Sequence, residues 1–178
     1  MSTIDLIILG ILQEKSMNAY ELARYIDEKQ VYRLLKISQP AVYKNCKKLF
    51  QEDYLEGEKI REGENPEKVM FTVNEKGHAY FNELMIHFSS HVQPLYLDFN
   101  VFIWNIQKLP PKKALEMFTT LGGELKRLKN WIIQHEKEIS DSAPFPVRQI
   151  VKQGRMMYVA LDQWAEEAFE EFKQKKGK

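Results

Sequence analysis

Cysteine is nearly missing from this chain: Cys46 is the single one among 178 residues. No intrachain disulfide can form and no multi-cysteine zinc site can be built, which fits a reducing compartment. Glycine and proline are sparse, eight and seven in all. No phosphate-binding glycine loop, dinucleotide fingerprint, nucleophile elbow or metalloprotease histidine pair occurs, so an enzyme is not expected. Long apolar runs are lacking as well, since no segment reaches the roughly 20 residues that cross a bilayer. The start, Met1-Ser2-Thr3-Ile4-Asp5, has none of the basic residues that open a signal peptide. These absences point to a soluble, cytoplasmic protein with no membrane partner and no cofactor. Neither sign of charge is in excess: 26 Lys and Arg face 25 Asp and Glu, a net +1. A nucleic-acid surface, if present, must therefore be local.

One stretch breaks that balance. Between Lys29 and Gln51 the chain carries Lys29, Arg33, Lys36, Lys44, Lys47 and Lys48 and no Asp or Glu. Acidic residues stop at Glu28 and resume at Glu52. A local cationic surface suits a polyanion, because neutralising phosphates releases condensed counterions.

The hydrophobic spacing organises the chain around that stretch. Ile4, Ile7, Ile8, Ile11 and Leu12 predict a helix over residues 4–14, capped by Ser2 or Thr3. Asn18 is a candidate N-cap for a second helix over 19–28, with Ala19, Leu22, Ala23 and Ile26 inward. Ser38 and Pro40 open a third over 38–53. There Val42, Cys46, Leu49 and Phe50 share an inner face, while Tyr43, Lys44 and Lys47 point away with Gln39 at the edge. Residues 54–60 and 69–73 have strand composition and flank a polar loop with Gly63 and Pro66, which predicts a hairpin. Three helices and a hairpin make a winged helix-turn-helix, and Asn74 caps the helix that follows. The remainder reads as helices: a stripe from Tyr80 to Val92, a short apolar piece over 98–107, and long helices over 112–140 and 147–173. Gly122-Gly123 should weaken or kink the first of these long helices, at about 1 kcal/mol per glycine relative to alanine. No internal repeats occur, and low complexity is confined to residues 173–178. The expected fold class is mainly α with a small β-hairpin wing. Residues 1–76 form the winged-helix domain and 77–178 a helical dimerisation domain.

Several of these segments resemble the PadR family of bacterial transcriptional regulators: Leu6 to Leu12, Asn18-Ala19-Tyr20-Glu21-Leu22, Ala41-Val42-Tyr43 with Lys47-Lys48-Leu49, and Met70 to Gly77. The resemblance covers about the first 80 residues. The later helices resemble only the arrangement of the larger members. Three positions depart from the usual pattern: Ala19 and Asp53 stand where glycine is common, and Lys44 follows Tyr43 where many members have proline. Asp tolerates the left-handed turn that ends such a helix better than most residues. The resemblance implies a homodimeric repressor of a nearby gene, released by a small molecule.

Tyr43, Lys44 and Lys47 are the main candidates for DNA contact, with Gln39 and Asn45 for base edges and Lys36 and Lys48 for the backbone. A solvated face is the commoner meaning of a charge run, and the family resemblance tips the balance toward double-stranded DNA. Lys59, Arg61 and Lys68 are wing candidates, limited to edge contacts by the repulsion of Glu62, Glu64 and Glu67 from phosphate. Phe99, Phe102, Trp104, Trp131, Met157 and Trp164 are candidate walls of a pocket for a small aromatic effector, although aromatics at helical spacing more often simply pack. His87 and His91 stand one turn apart without a third ligand, so no metal site is expected. Cys46, on an inner face, reads as inert packing. A winged-helix module that binds protein and not DNA is the rival function.

Overall fold

A computed structural model of the chain describes residues 1–29, 31, 35, 37–61, 67–139 and 143–176. They divide into two compact units, Met1–Pro94 and Leu95–Lys178.

The first unit begins with α1 (Thr3–Glu14), whose Ser2 cap accepts the Asp5 N–H at 3.2 Å. Next comes α2 (Ala19–Glu28), opened by a capping box. The Asn18 side chain accepts the Glu21 N–H at 2.9 Å, and the Glu21 carboxylate accepts the Asn18 N–H at 3.4 Å. Two orphan amides of the first turn are thereby satisfied. The third helix, α3 (Gln39–Gln51), starts from an extended Ser38 and carries Pro40 in its first turn. The Ser38 carbonyl accepts the amides of Ala41 and Val42, while its hydroxyl makes no capping bond.

These helices meet in one apolar core. Ile8, Leu9 and Leu12 from α1, Leu22, Ala23 and Ile26 from α2, and Val42, Cys46 and Leu49 from α3 are all buried there. Strands β1 (Leu55–Ile60) and β2 (Lys68–Val73) form an antiparallel hairpin that sets Leu55 opposite Val73 and Ile60 opposite Lys68. Met17 adds a single bridge to Phe71. Phe50, expected on the inner face, is 44% exposed. Its ring lies over the hairpin, 5.5 Å from that of Phe71, and close enough to Gly57 that a Cβ there would come within 2.8 Å. Phe50 thus supports the wing and not the trihelical core.

The exit from α3 is fixed by backbone geometry. Asp53 has φ 62°, and the amides of Asp53 and Tyr54 donate to the carbonyls of Phe50 and Leu49 at 3.1 and 2.9 Å. That pair of bonds is a Schellman motif with Asp in the position glycine usually takes. The next helix, α4 (Glu75–Ser90), is tied to this exit: Asn74 caps Gly77 through Oδ1 and donates through Nδ2 to the Asp53 carbonyl at 3.1 Å. Leu84 of α4 is fully buried in the same core, and Tyr80 stacks on Tyr54 at 4.4 Å. α4 thus packs within the first unit, which runs to Pro94.

The second unit holds a short helix, α5 (Asn100–Asn105), a 3-10 turn (Ile106–Lys108), and two long helices, α6 (Pro111–Glu138) and α7 (Phe145–Lys176). The long helices pack antiparallel: Phe118 meets Phe169 and Phe172 at one end, and Arg155 pairs with Glu136 at 2.6 Å toward the other. Lys129 and the buried Asp162 form an ion pair between them. α6 runs continuously through Gly122-Gly123, with Phe118 and Leu125 buried on either side of them. Among the described residues no helix is long and apolar enough to cross a membrane.

Gly77 is the position where this packing admits no side chain. A Cβ would stand 2.2 Å from the Tyr54 carbonyl oxygen and 2.7 Å from Val73 Cγ1. Gly77→Ala is therefore expected to destabilise the first unit by about 1–3 kcal/mol, the usual cost of overpacking. Thermal melting checks this, and an unchanged midpoint would contradict the packing described.

Candidate nucleic-acid interface

With Val42, Cys46 and Leu49 buried, the opposite side of α3 faces solvent. Gln39, Tyr43, Lys44 and Lys47 are exposed there, and Tyr43 is 41% accessible. Within α3 itself no Asp or Glu occurs. The structure therefore brings four of the candidates together on one face of a helix broad enough to enter a major groove.

The other candidates fare differently. Asn45 is half-buried and its Nδ2 donates to the Ala41 carbonyl at 2.7 Å, so its amide turns back on its own helix and not toward a base. Lys48 is engaged elsewhere: its Nζ lies 2.9 Å from Asp5 Oδ2 and 3.8 Å from Glu52. Lys36, like Arg33, falls outside the described residues. On the wing, Lys59 pairs with Glu67 at 3.4 Å and Lys68 with Glu21 at 3.9 Å. Arg61 is exposed at the edge of a loop whose residues 62–66 are not described. The wing cations are thus largely matched by carboxylates, and α3 holds the denser positive charge.

Sequence reasoning missed the group that anchors this helix. Asp5 is fully buried, and its Oδ2 also lies 3.4 Å from the Tyr80 hydroxyl. An acid in a first turn ordinarily reads as a partner of the helix dipole. The available signal was its place beside Ile4 and Ile8 on a strongly apolar helix. Asp5 leaves its mark on its neighbours. Its hydrogen bond raises the Lys48 pKa, while burial first and the Asp5 charge second push the Cys46 thiol up to about 12. Tyr80 is raised by burial and by the same carboxylate.

In the second unit, three of the six effector candidates gather around Phe118. Phe99 stacks on Trp164 at 5.6 Å, and Phe102 and Trp164 both approach Phe118. Trp104 is 86% exposed on α5, and Trp131 stacks on His135 of its own helix. Met157 is half-buried on α7. Beside the cluster a groove of about 310 Å³ opens between α6 and α7, lined by Phe118, Gly122, Gly123, Phe169, the cation Lys126 and the carboxylates Asp162 and Glu166 among others. None of the six candidates borders it. Gly122-Gly123 and Lys126 do, and the glycines had been read only as a helix weakness. In the first unit, the rings of His87 and His91 stack at 4.7 Å. Among the described residues no three His, Cys, Asp or Glu converge as metal ligands would.

Comparison with known proteins follows this geometry. The model of the transcriptional regulator PadR-like family matches residues 8–83. No curated protein matches the chain. Among solved structures, Bacillus subtilis PadR in complex with operator DNA is similar at 19% identity and TM-score 0.76, covering 96% of this chain and 99% of that one. The same Bacillus protein in complex with p-coumaric acid matches at 19% and 0.76, over 97% and 99%. The Vibrio cholerae virulence activator AphA matches at 15% and 0.71, over 97% and 99%. At these identities the likeness to solved structures is one of fold.

The groups around Asp5 set an alkaline limit on stability. An unfolded thiol ionises from about pH 8.5, whereas folded Cys46 resists until about 12. Lys48 and Tyr80 are also raised in the folded state. Each contributes stability that is full below its unfolded pKa and is lost as pH climbs toward the folded one. Denaturant midpoints should therefore fall between about pH 8.5 and 10.5, and fall less steeply in Cys46→Ala. A flat wild-type profile, or a slope unaltered by the substitution, would contradict the burial of Cys46.

Proposed function

We propose, from the match of residues 8–83 to the PadR-like family of transcriptional regulators, that this chain is a sequence-specific DNA-binding regulator acting as a homodimer. α3 is its reading helix. The observation that carries this is the exposed, acid-free face of Gln39, Tyr43, Lys44 and Lys47 opposite a fully buried one. Lys44 and Lys47 neutralise phosphates, Tyr43 sets the register, and Gln39 at the helix start reaches a base edge. The structure of Bacillus PadR with operator DNA supports the same use of a similar fold.

Dimerisation has a physical basis in the second unit. Its buried apolar cluster is small, around Ile106, Ala114 and Phe118, yet Val101, Trp104, Phe145 and Met156 are each more than half exposed. Surface of that kind is usually covered in an assembly. A two-fold pair would address half-sites about 34–36 Å apart, one turn of the duplex. Repression follows the family implication, with the AphA fold as a reminder that a similar scaffold carries the description of an activator.

Selection from random duplexes tests this directly. A palindrome with half-sites one turn apart is the expected outcome, and binding without sequence preference would contradict it. On the recovered duplex, Lys44→Ala and Lys47→Ala should weaken specific and random binding alike. Each should flatten the slope of log K against log salt by about 0.9 per lost phosphate contact. A protein-docking winged helix is the second reading, favoured by the carboxylates that pair with Lys59 and Lys68 on the wing; it would leave every duplex unbound at moderate salt.

The effector is a small planar aromatic acid held in the second unit, where the Phe99–Trp164 stack offers ring faces and Lys126 on the neighbouring groove a cation. Support comes from Bacillus PadR, solved with p-coumaric acid. Titration with such acids should quench tryptophan fluorescence at the concentrations that release DNA, and Lys126→Ala should weaken both. Release without any change in Lys126→Ala would move the site elsewhere.

A further inference from the structure

Asp5 is a costly residue where it stands. It is fully buried, one oxygen is held by Lys48 Nζ at 2.9 Å and the Tyr80 hydroxyl at 3.4 Å, and the other, Oδ1, has no hydrogen-bond partner among the protein atoms described. The carboxylate has left water while 42% of the Lys48 side chain stays accessible, so Asp5 bears a desolvation cost that a solvent-screened partner offsets only in part. Stability therefore gives no reason for the pair. Its geometry does, because three elements separated in sequence, α1, α3 and α4, converge on a single carboxylate.

We propose that Asp5 is a positioning residue for the DNA-facing helix: it clamps the Lys48 ammonium to the protein side, keeps it off phosphate, and fixes the rotation of α3 about its own axis. This rests on the DNA-binding function proposed above. An apolar face such as Val42, Cys46 and Leu49 resists separation but tolerates sliding and small rotations, whereas a charged hydrogen bond has one short, directed optimum. With side chains a helix has a radius of about 5–6 Å, so a turn of only about 20° moves the tips of Tyr43 and Gln39 by about 2 Å. That displacement is enough to lose a hydrogen bond to a base edge. Lys48 stands roughly 100° around α3 from Lys47, and its charge is already answered by Asp5 and Glu52. The working cations of the helix are Lys44 and Lys47.

Two measurements test this, one without DNA. In competitive acetylation of the folded full chain, Lys48 should react severalfold more slowly than Lys44 and Lys47, and Asp5→Asn should abolish the difference. Equal rates in the wild type would overturn the clamp whatever the protein binds. The second uses the duplex recovered by selection, with a random duplex as reference. Lys48→Met should leave the salt slope unchanged yet lower the ratio of specific to random affinity roughly tenfold, about the loss of one base contact. A slope flattened by about 0.9 would show Lys48 on a phosphate and overturn the proposal. Asp5→Leu with Lys48→Met guards against a variant that merely unfolds, since this apolar pair should melt no lower than wild type. The same roughly tenfold loss of ratio in that variant supports positioning, and an undiminished ratio overturns it. If wild type ignores every duplex, the DNA-binding function fails while the acetylation result still decides the clamp.

Discussion

A helix of 13 residues can bury only one side, and in α3 that side is settled by three residues. Val42, Cys46 and Leu49 insert into the core shared by α1 and α2 and are inaccessible to solvent. The DNA-binding role proposed for this protein depends on that insertion, because it decides which side chains are left over. Remove it, and Tyr43, Lys44 and Lys47 are merely three polar residues on a mobile surface. Retained, it turns them into a fixed array on a convex rod of groove-filling width. The ends of the rod are fixed as well: Ser38 and Pro40 start it, and the Schellman turn at Asp53 stops it so that the hairpin can fold back beneath Phe50.

Electrostatics then act on a scaffold already formed. A protein with net charge of only +1 attracts DNA through local fields and not through its total. Pairing on the wing strengthens the contrast, since Lys59 and Lys68 spend much of their charge on Glu67 and Glu21. Long helices in the second unit use charge differently, to fix their pairing through Lys129 with Asp162 and Arg155 with Glu136. The same residue types therefore steer in one place and brace in another: Lys44 and Lys47 stand on an acid-free helix, whereas Lys129 and Arg155 reach a carboxylate on the facing helix.

Local rules made much of the first unit legible in sequence. Asn18 and Asn74 cap the helices they were expected to cap, the hairpin strands lie within a residue of their expected bounds, and the left-handed turn falls on Asp53. All of these depend on neighbours a few residues away. What escaped depends on distant ones. Lys48 looked like a phosphate ligand because its partner, Asp5, is 43 residues upstream. Phe50 has apolar spacing but finds Phe71 on the wing. The six effector candidates, five aromatics and Met157, split because periodicity gives the side of a helix and not what lies opposite: Phe99 and Trp164 meet, while Trp104 is exposed.

Oxidative footprinting of the full chain with and without a selected duplex tests the central claim most directly. Tyr43, 41% exposed in the free protein, should lose its reactivity toward hydroxyl radicals when DNA is bound, while Tyr96, 83% exposed in the second unit, keeps its own. A Tyr43 oxidised equally in both states, at a duplex concentration that saturates binding, would mean that the outward side of α3 is not the surface that meets DNA.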